Sequence, residues 1–233
     1  MKLAPEPKGK RFGLFGAKGR AMDIEAPIDS DWKDADGVKP IRAVMVGDSL
    51  VAGCGVDDQP KGIMPLLAAR VAKRTGRPVA WRTVGKLGAT ARRVRYRMIG
   101  DINDRPDVLI VCVGSNDMLA GRSVREWAAD ITPVLDAARN KAGKVVLFSS
   151  GQPHRSPVLP GALRRDIECR INAQTAMSRR LCETRGIAFL DLTHTNQIDP
   201  SRFWAVDGFH PGTFGYVVMA DVIMRLLFAG AKE

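Results

Sequence analysis

The chain has 233 residues, 45% of them hydrophobic, and carries 36 Lys and Arg against 25 Asp and Glu for a formal net charge of +11. That length suits one α/β domain able to bury a core without disulfide staples, and the four cysteines Cys54, Cys112, Cys169 and Cys182 form no Cys-x-x-Cys pair, which excludes a zinc knuckle and a thioredoxin-type motif. No apolar run approaches the roughly 18 residues of a spanning helix, and the apolar stretch 12–17 is too short and glycine-rich for a signal sequence, so a cytoplasmic protein in a reducing compartment is expected.

Residues 1–39 are rich in Gly, Pro, Lys and Asp and show no sustained period. They read as an irregular basic arm ahead of a domain spanning 40–233. Phe12, Leu14 and Phe15, set among Lys and Arg, are the arm's only feature suited to a membrane surface or a partner. From residue 41 the pattern alternates. Strands are expected over 41–46, 79–84, 108–113, 144–148 and 187–190. Helices are expected over 62–73, 90–98, 123–139, 163–185 and 214–228. Ser123 and Glu126 have capping-box spacing, Pro65 suits a first helical turn, and Gly186 suits a helix C′ position. Segment 149–161 is a long Pro/Gly loop. Five strand–helix alternations argue for a parallel sheet covered on both faces, a three-layer α/β/α sandwich.

Much of the basic excess lies between Arg70 and Arg105, where eleven Lys and Arg face only Asp101 and Asp104. No RNP-like aromatic motif, zinc-finger spacing or heptad run accompanies it. It therefore reads as a solvated face, and no nucleic-acid partner is expected.

Four short stretches sit at strand ends or in loops: Gly47-Asp48-Ser49-Leu50, Gly85-Lys86-Leu87-Gly88-Ala89-Thr90, Gly114-Ser115-Asn116-Asp117 and Asp207-Gly208-Phe209-His210-Pro211. Strand ends of a parallel sheet converge on one edge, so all four can share a site. Their chemistry is complementary. Ser49 offers a hydroxyl nucleophile, which needs a base. His210 can be that base, since imidazole titrates near neutrality. Asp207, three residues earlier, can orient the ring and stabilise the imidazolium. Gly88, the Asn116 amide and the Ser49 backbone can donate N–H groups to an oxyanion. Asp48 and Asp117 read as structural hydrogen-bonding residues. His194 reads as structural or exposed, and His154 as a loop residue near the entrance. Gly53-Cys54-Gly55 lacks the third glycine of a dinucleotide fingerprint, and no Gly-x-Ser-x-Gly elbow is present.

In this order, Gly-Asp-Ser, the lone Gly of the second stretch, Gly-x-Asn-Asp and Asp-x-x-His-Pro resemble the blocks of the SGNH (GDSL) hydrolase family, over roughly residues 41–228. The resemblance implies a flavodoxin-like sandwich of five parallel strands. It also implies a Ser-His-Asp esterase needing no metal or other cofactor. By position, Ser49 is the nucleophile, His210 the base and Asp207 the orienting acid, with Ser49, Gly88 and Asn116 as oxyanion donors. Gly88 is chosen over Gly85 because it directly precedes Ala89-Thr90. The expected partner is a small-molecule ester of small or single-chain acyl type: a short-chain ester, an acetylated sugar, a lysophospholipid or a thioester. The competing reading is a non-catalytic module of the same fold whose basic face holds nucleic acid or acidic lipid.

Overall fold

The computed structural model describes residues 3–195 and 199–229; residues 1–2, 196–198 and 230–233, parts of the expected arm and domain, lie outside the described residues. Its strands in chain order are β1 (Phe12–Phe15), β2 (Ala21–Met22), β3 (Ile41–Gly47), β4 (Val79–Gly85), β5 (Val108–Cys112), β6 (Lys144–Phe148) and β7 (Ala188–Leu190). They form one sheet in the order β2-β1-β4-β3-β5-β6-β7. The last five strands pair in parallel, as the alternation demands. Their order, β4-β3-β5-β6-β7, is the doubly wound, flavodoxin-like one, with its switch point at β3.

The sheet has seven strands rather than five, and segment 1–39 is not irregular throughout. β1 pairs antiparallel with β4, setting Phe12 opposite Arg82 and Phe15 opposite Val79, and β2 pairs with β1. Nothing local announces β1: a four-residue strand with a glycine inside it has too little periodicity to read. It forms because the β4 edge offers backbone partners and because Leu14 becomes 98% buried there, its exposure being 2%.

The helices are α1 (Ser49–Ala52), α2 (Ile63–Thr75), α3 (Ala91–Arg97), α4 (Ser115–Leu119), α5 (Val124–Lys141), α6 (Gly161–Glu183), α7 (Pro200–Phe203) and α8 (Thr213–Leu227). The five long ones lie within two residues of their expected bounds. Ser123 and Glu126 close a full capping box on α5. α1, α4 and α7 are too short for a hydrophobic period and went unread. Alternate residues of β3 serve the two cores. Met45 packs with Leu67, Ile110, Phe148 and Tyr216 under α2 and α8. Val44 and Val46 pack with Val111, Ile131 and Leu147 under α3 and α5. The carboxyl ends of β3, β4 and β5, with both faces covered, are left to carry the site.

Candidate active site

At the end of β3 the chain must turn sharply past its neighbour. A Cβ on Gly47 would lie 1.7 Å from the Cys112 carbonyl oxygen, so only glycine fits. The Asp48 N–H donates to that same carbonyl at 3.1 Å. The Asp48 side chain then caps α1, accepting from the Leu50 N–H at 3.1 Å. Ser49 is thereby the first residue of α1, with its backbone N–H among the unpaired donors of a helix start.

Gly85 closes β4 opposite Gly47, and the loop that follows is fastened by Lys86 N–H to Gly47 O at 3.1 Å and Ala89 N–H to Lys86 O at 3.0 Å. Gly88 takes a φ of +75°, and nothing lies within 4 Å of where its side chain would be. Among the described residues its N–H has no backbone acceptor. The Asn116 amide, on α4, donates to the Ala89 carbonyl at 2.9 Å, joining the third stretch to the second. Asp117 is fully buried and accepts from the Ala91 N–H at 2.8 Å, which caps α3, with Arg122 Nε 3.6 Å away. Burial pushes its carboxyl up to about 6 against the pull of that N–H and of Arg122. Asp48 is pushed up to about 7, again mainly by burial. Both side chains hold loops together, as the sequence suggested.

The fourth stretch is a small hairpin. Trp204 and Pro211 form an antiparallel bridge, and Ala205 N–H donates to His210 O at 2.7 Å. Within it, Asp207 Oδ1 accepts from the N–H groups of Phe209 and His210 at 2.9 and 3.0 Å. Its Oδ2 lies 2.7 Å from His210 Nδ1 and accepts from the Ala4 N–H at 2.8 Å. Burial opposes the Asp207 charge, but the His210 bond and these N–H groups outweigh it and bring the carboxyl to about 2. An ionised carboxylate only accepts, so Nδ1 carries the proton and Nε2 is the basic nitrogen. The segment after α1 presses on this hairpin: a Cβ on Gly55 would lie 3.0 Å from His210 Cβ and 2.2 Å from Pro211 O. Tyr216 OH adds a bond to Cys54 O at 2.7 Å.

Ser49, Asn116 and His210 line one cleft of about 60 Å³, together with Leu50, Ser150, Gln152, Trp204 and Met219. Asp207 stands behind His210. Gly88 is not among the lining residues; its neighbour Ala89 is tied to the lining residue Asn116. Sequence reasoning missed Ser150, Gln152 and Trp204. The first two follow β6, so the strand-end rule could have found them; Trp204 carries no such signal. His194 is exposed, with Nδ1 2.8 Å from Asp191 and Nε2 3.1 Å from Asn172. His154 follows the cleft residue Pro153 but does not line the cleft. A wider cleft of about 530 Å³, between Phe12, Ile28, Arg42 and Trp81, contains none of the four stretches. Among the described residues no cluster of three His, Cys, Asp or Glu is placed to hold a metal ion, and no helix is long and apolar enough to cross a membrane.

Residues 45–218 match the family model described as GDSL-like lipase/acylhydrolase. A GDSL-like esterase of Mycobacterium tuberculosis is 23% identical over 199 residues, which cover 80% of this chain and 62% of that protein, so the chain spans less than two thirds of its length. A family 3 carbohydrate esterase of Clostridium thermocellum superposes with a TM-score of 0.64 at 18% identity, over 83% of this chain and all of its own (100%). A lipolytic G-D-S-L protein of Veillonella parvula superposes with a TM-score of 0.63 at 18% identity, over 79% of this chain and 97% of its own.

Proposed function

The chain belongs to the GDSL-like lipase/acylhydrolase family, and from that membership and the geometry around Ser49 we propose a serine hydrolase of short-chain carboxylic esters. The observation that carries the reading is the buried Asp207–His210 pair, 2.7 Å apart, whose His210 lines the same cleft as Ser49. Ser49 Oγ attacks the ester carbonyl carbon while His210 Nε2 takes its proton. The tetrahedral oxyanion receives N–H groups from Ser49, Gly88 and the Asn116 amide. Collapse expels the alcohol, which takes the proton from His210, and leaves acyl-Ser49. Water, deprotonated by the same nitrogen, then releases the acid. Asp207 stays ionised throughout and stabilises the imidazolium.

The cleft beside Ser49, of about 60 Å³, matches an acetyl-sized acyl group, and an apolar pocket lined by Leu192, Val218 and Val222 adjoins it across Gln152, Phe203 and Met219. Acetylated sugars fit that size, and the likeness to a carbohydrate esterase supports them. The test is a panel of p-nitrophenyl esters from acetyl to palmitoyl on the wild type and on Ser49→Ala. The short esters should be turned over best, and Ser49→Ala should lose on the order of 10³-fold or more in kcat with an unchanged circular dichroism spectrum. Activity persisting in that variant contradicts the mechanism, and a preference for palmitate contradicts the substrate size.

A further inference from the structure

Residues 4–11 lie outside the span 45–218 that the family model covers, yet their contacts converge on the proposed machinery. Ala4 is 7% exposed and its N–H donates to Asp207 Oδ2 at 2.8 Å, the oxygen that also faces His210 Nδ1. Two residues on, Glu6 Oε1 accepts from the Leu87 N–H at 3.1 Å, and Oε2 pairs with Arg11. Arg11 Nη1 donates to the Gly85 carbonyl at 2.7 Å. Glu6 and Arg11 therefore grip the Gly85–Leu87 turn by one N–H and one C=O, immediately before Gly88. The segment is itself anchored. Lys8 N–H donates to Asp57 O at 3.1 Å, Gln59 N–H to Lys8 O at 2.8 Å, and Thr83 N–H to Arg11 O at 2.8 Å.

We propose that segment 4–11 is a positioning strap for ester hydrolysis: Ala4 sets the carboxylate of Asp207, and Glu6 with Arg11 sets the Gly88 N–H. The inference rests on the hydrolase reading of Ser49, Asp207 and His210. Neither Ala4 nor Glu6 lines the cleft, so both act through other groups. The physical need is clear. An oxyanion donor works only when aimed at about 2.7–3.1 Å from the developing charge. Bonds from the core side, Lys86 N–H to Gly47 O, Ala89 N–H to Lys86 O and the Asn116 amide to Ala89 O, hold the turn around Gly88 from within. The Glu6–Arg11 pair adds a second hold from the strap, on the Gly85 carbonyl and the Leu87 N–H. At Asp207, the Ala4 N–H is the only donor to Oδ2 among the described residues besides His210, and it adds a restraint on that oxygen to the two N–H groups that hold Oδ1.

Glu6→Ala, Glu6→Gln and Ala4→Pro in the full chain separate this role from a purely structural one. The readouts are kcat and KM for p-nitrophenyl acetate, beside a thermal melt. Glu6→Ala should lower kcat about tenfold with KM within about twofold, since the loss acts on the transition state. Glu6→Gln keeps a carbonyl oxygen for the Leu87 N–H and should restore kcat to within about threefold of the wild type. Ala4→Pro removes the donor to Asp207 and should lower kcat about tenfold. It carries the test alone if Glu6→Ala does not fold. Variants that melt lower but keep wild-type kcat overturn the strap and leave the hydrolase reading standing. A wild type inert on every ester overturns both.

Discussion

The Asn116 amide gives one hydrogen to the Ala89 carbonyl at 2.9 Å, and its second is the one proposed for the oxyanion. Its removal should lower kcat by about 10²–10³-fold with KM little changed, because the donor acts on charge present only in the transition state. A rise in KM at constant kcat would make it a ground-state binding group, and steady-state kinetics on Asn116→Ala decide. Two buried aspartates, Asp48 and Asp207, respond to pH in opposite senses. Asp48 is pushed from its ordinary 3.8 up to about 7, so the stability it allows is complete below about pH 4 and lost as pH rises through 7. Asp207, held at about 2, contributes stability above about pH 4 that is lost as pH falls through 2. Asp48→Asn keeps a cap for Leu50 and removes the ionisation. The fall in melting temperature between about pH 5 and 8 should therefore be smaller in the variant than in the wild type; equal falls would assign the effect elsewhere. Ser49, Asn116, Asp207 and His210 were legible because each lies in a short motif at a strand end or before a helix. Trp204 and Ala4 were not, because they reach the site by tertiary contact, and no spacing in the chain encodes where Ala4 docks.

The long helices were legible for a different reason: their apolar stripes repeat. α3 is the instructive case. Its buried residues are Ala91 and Val94, which leaves Arg92, Arg93 and Arg97 exposed around the remaining circumference. Arg95 is engaged with Asp130 at 3.2 Å and lies 4.7 Å over the Tyr96 ring. The arginines therefore do not converge on one anion. Screening beyond about 8 Å at physiological salt weakens what steering remains. Added salt should change kcat/KM for an anionic ester by less than about threefold, as for a neutral one. A tenfold fall specific to the anionic ester, and removed by Arg93→Ala, would instead indicate a phosphate-bearing substrate. The short elements defeated the reading on length alone. α1 is capped by Asp48 and α4 has no side-chain cap, and both follow strand ends rather than any period of their own.

Across the whole molecule, the proposed chemistry draws on a serine, a histidine, an aspartate and backbone amides, so hydrolysis should survive EDTA at concentrations on the order of millimolar. Loss of activity restored by a divalent ion would contradict that. The three-layer architecture was legible from alternation, since five apolar runs separated by helical periods admit few other arrangements. The two extra strands were not, because an edge strand is specified by the edge it joins. That edge has a consequence for self-association. β4 is seven residues long, and Val79, Trp81, Thr83 and Val84 make it strongly β-forming. Uncovered, it would present a row of unpaired backbone groups, the template on which second chains dock and fibrils begin. β1 occupies that row, and β2, only two residues long and followed by charged and proline-rich sequence, is a poor template in turn. A chain trimmed to residues 40–233 would keep every proposed catalytic side chain and trade a blunt sheet margin for a sticky one.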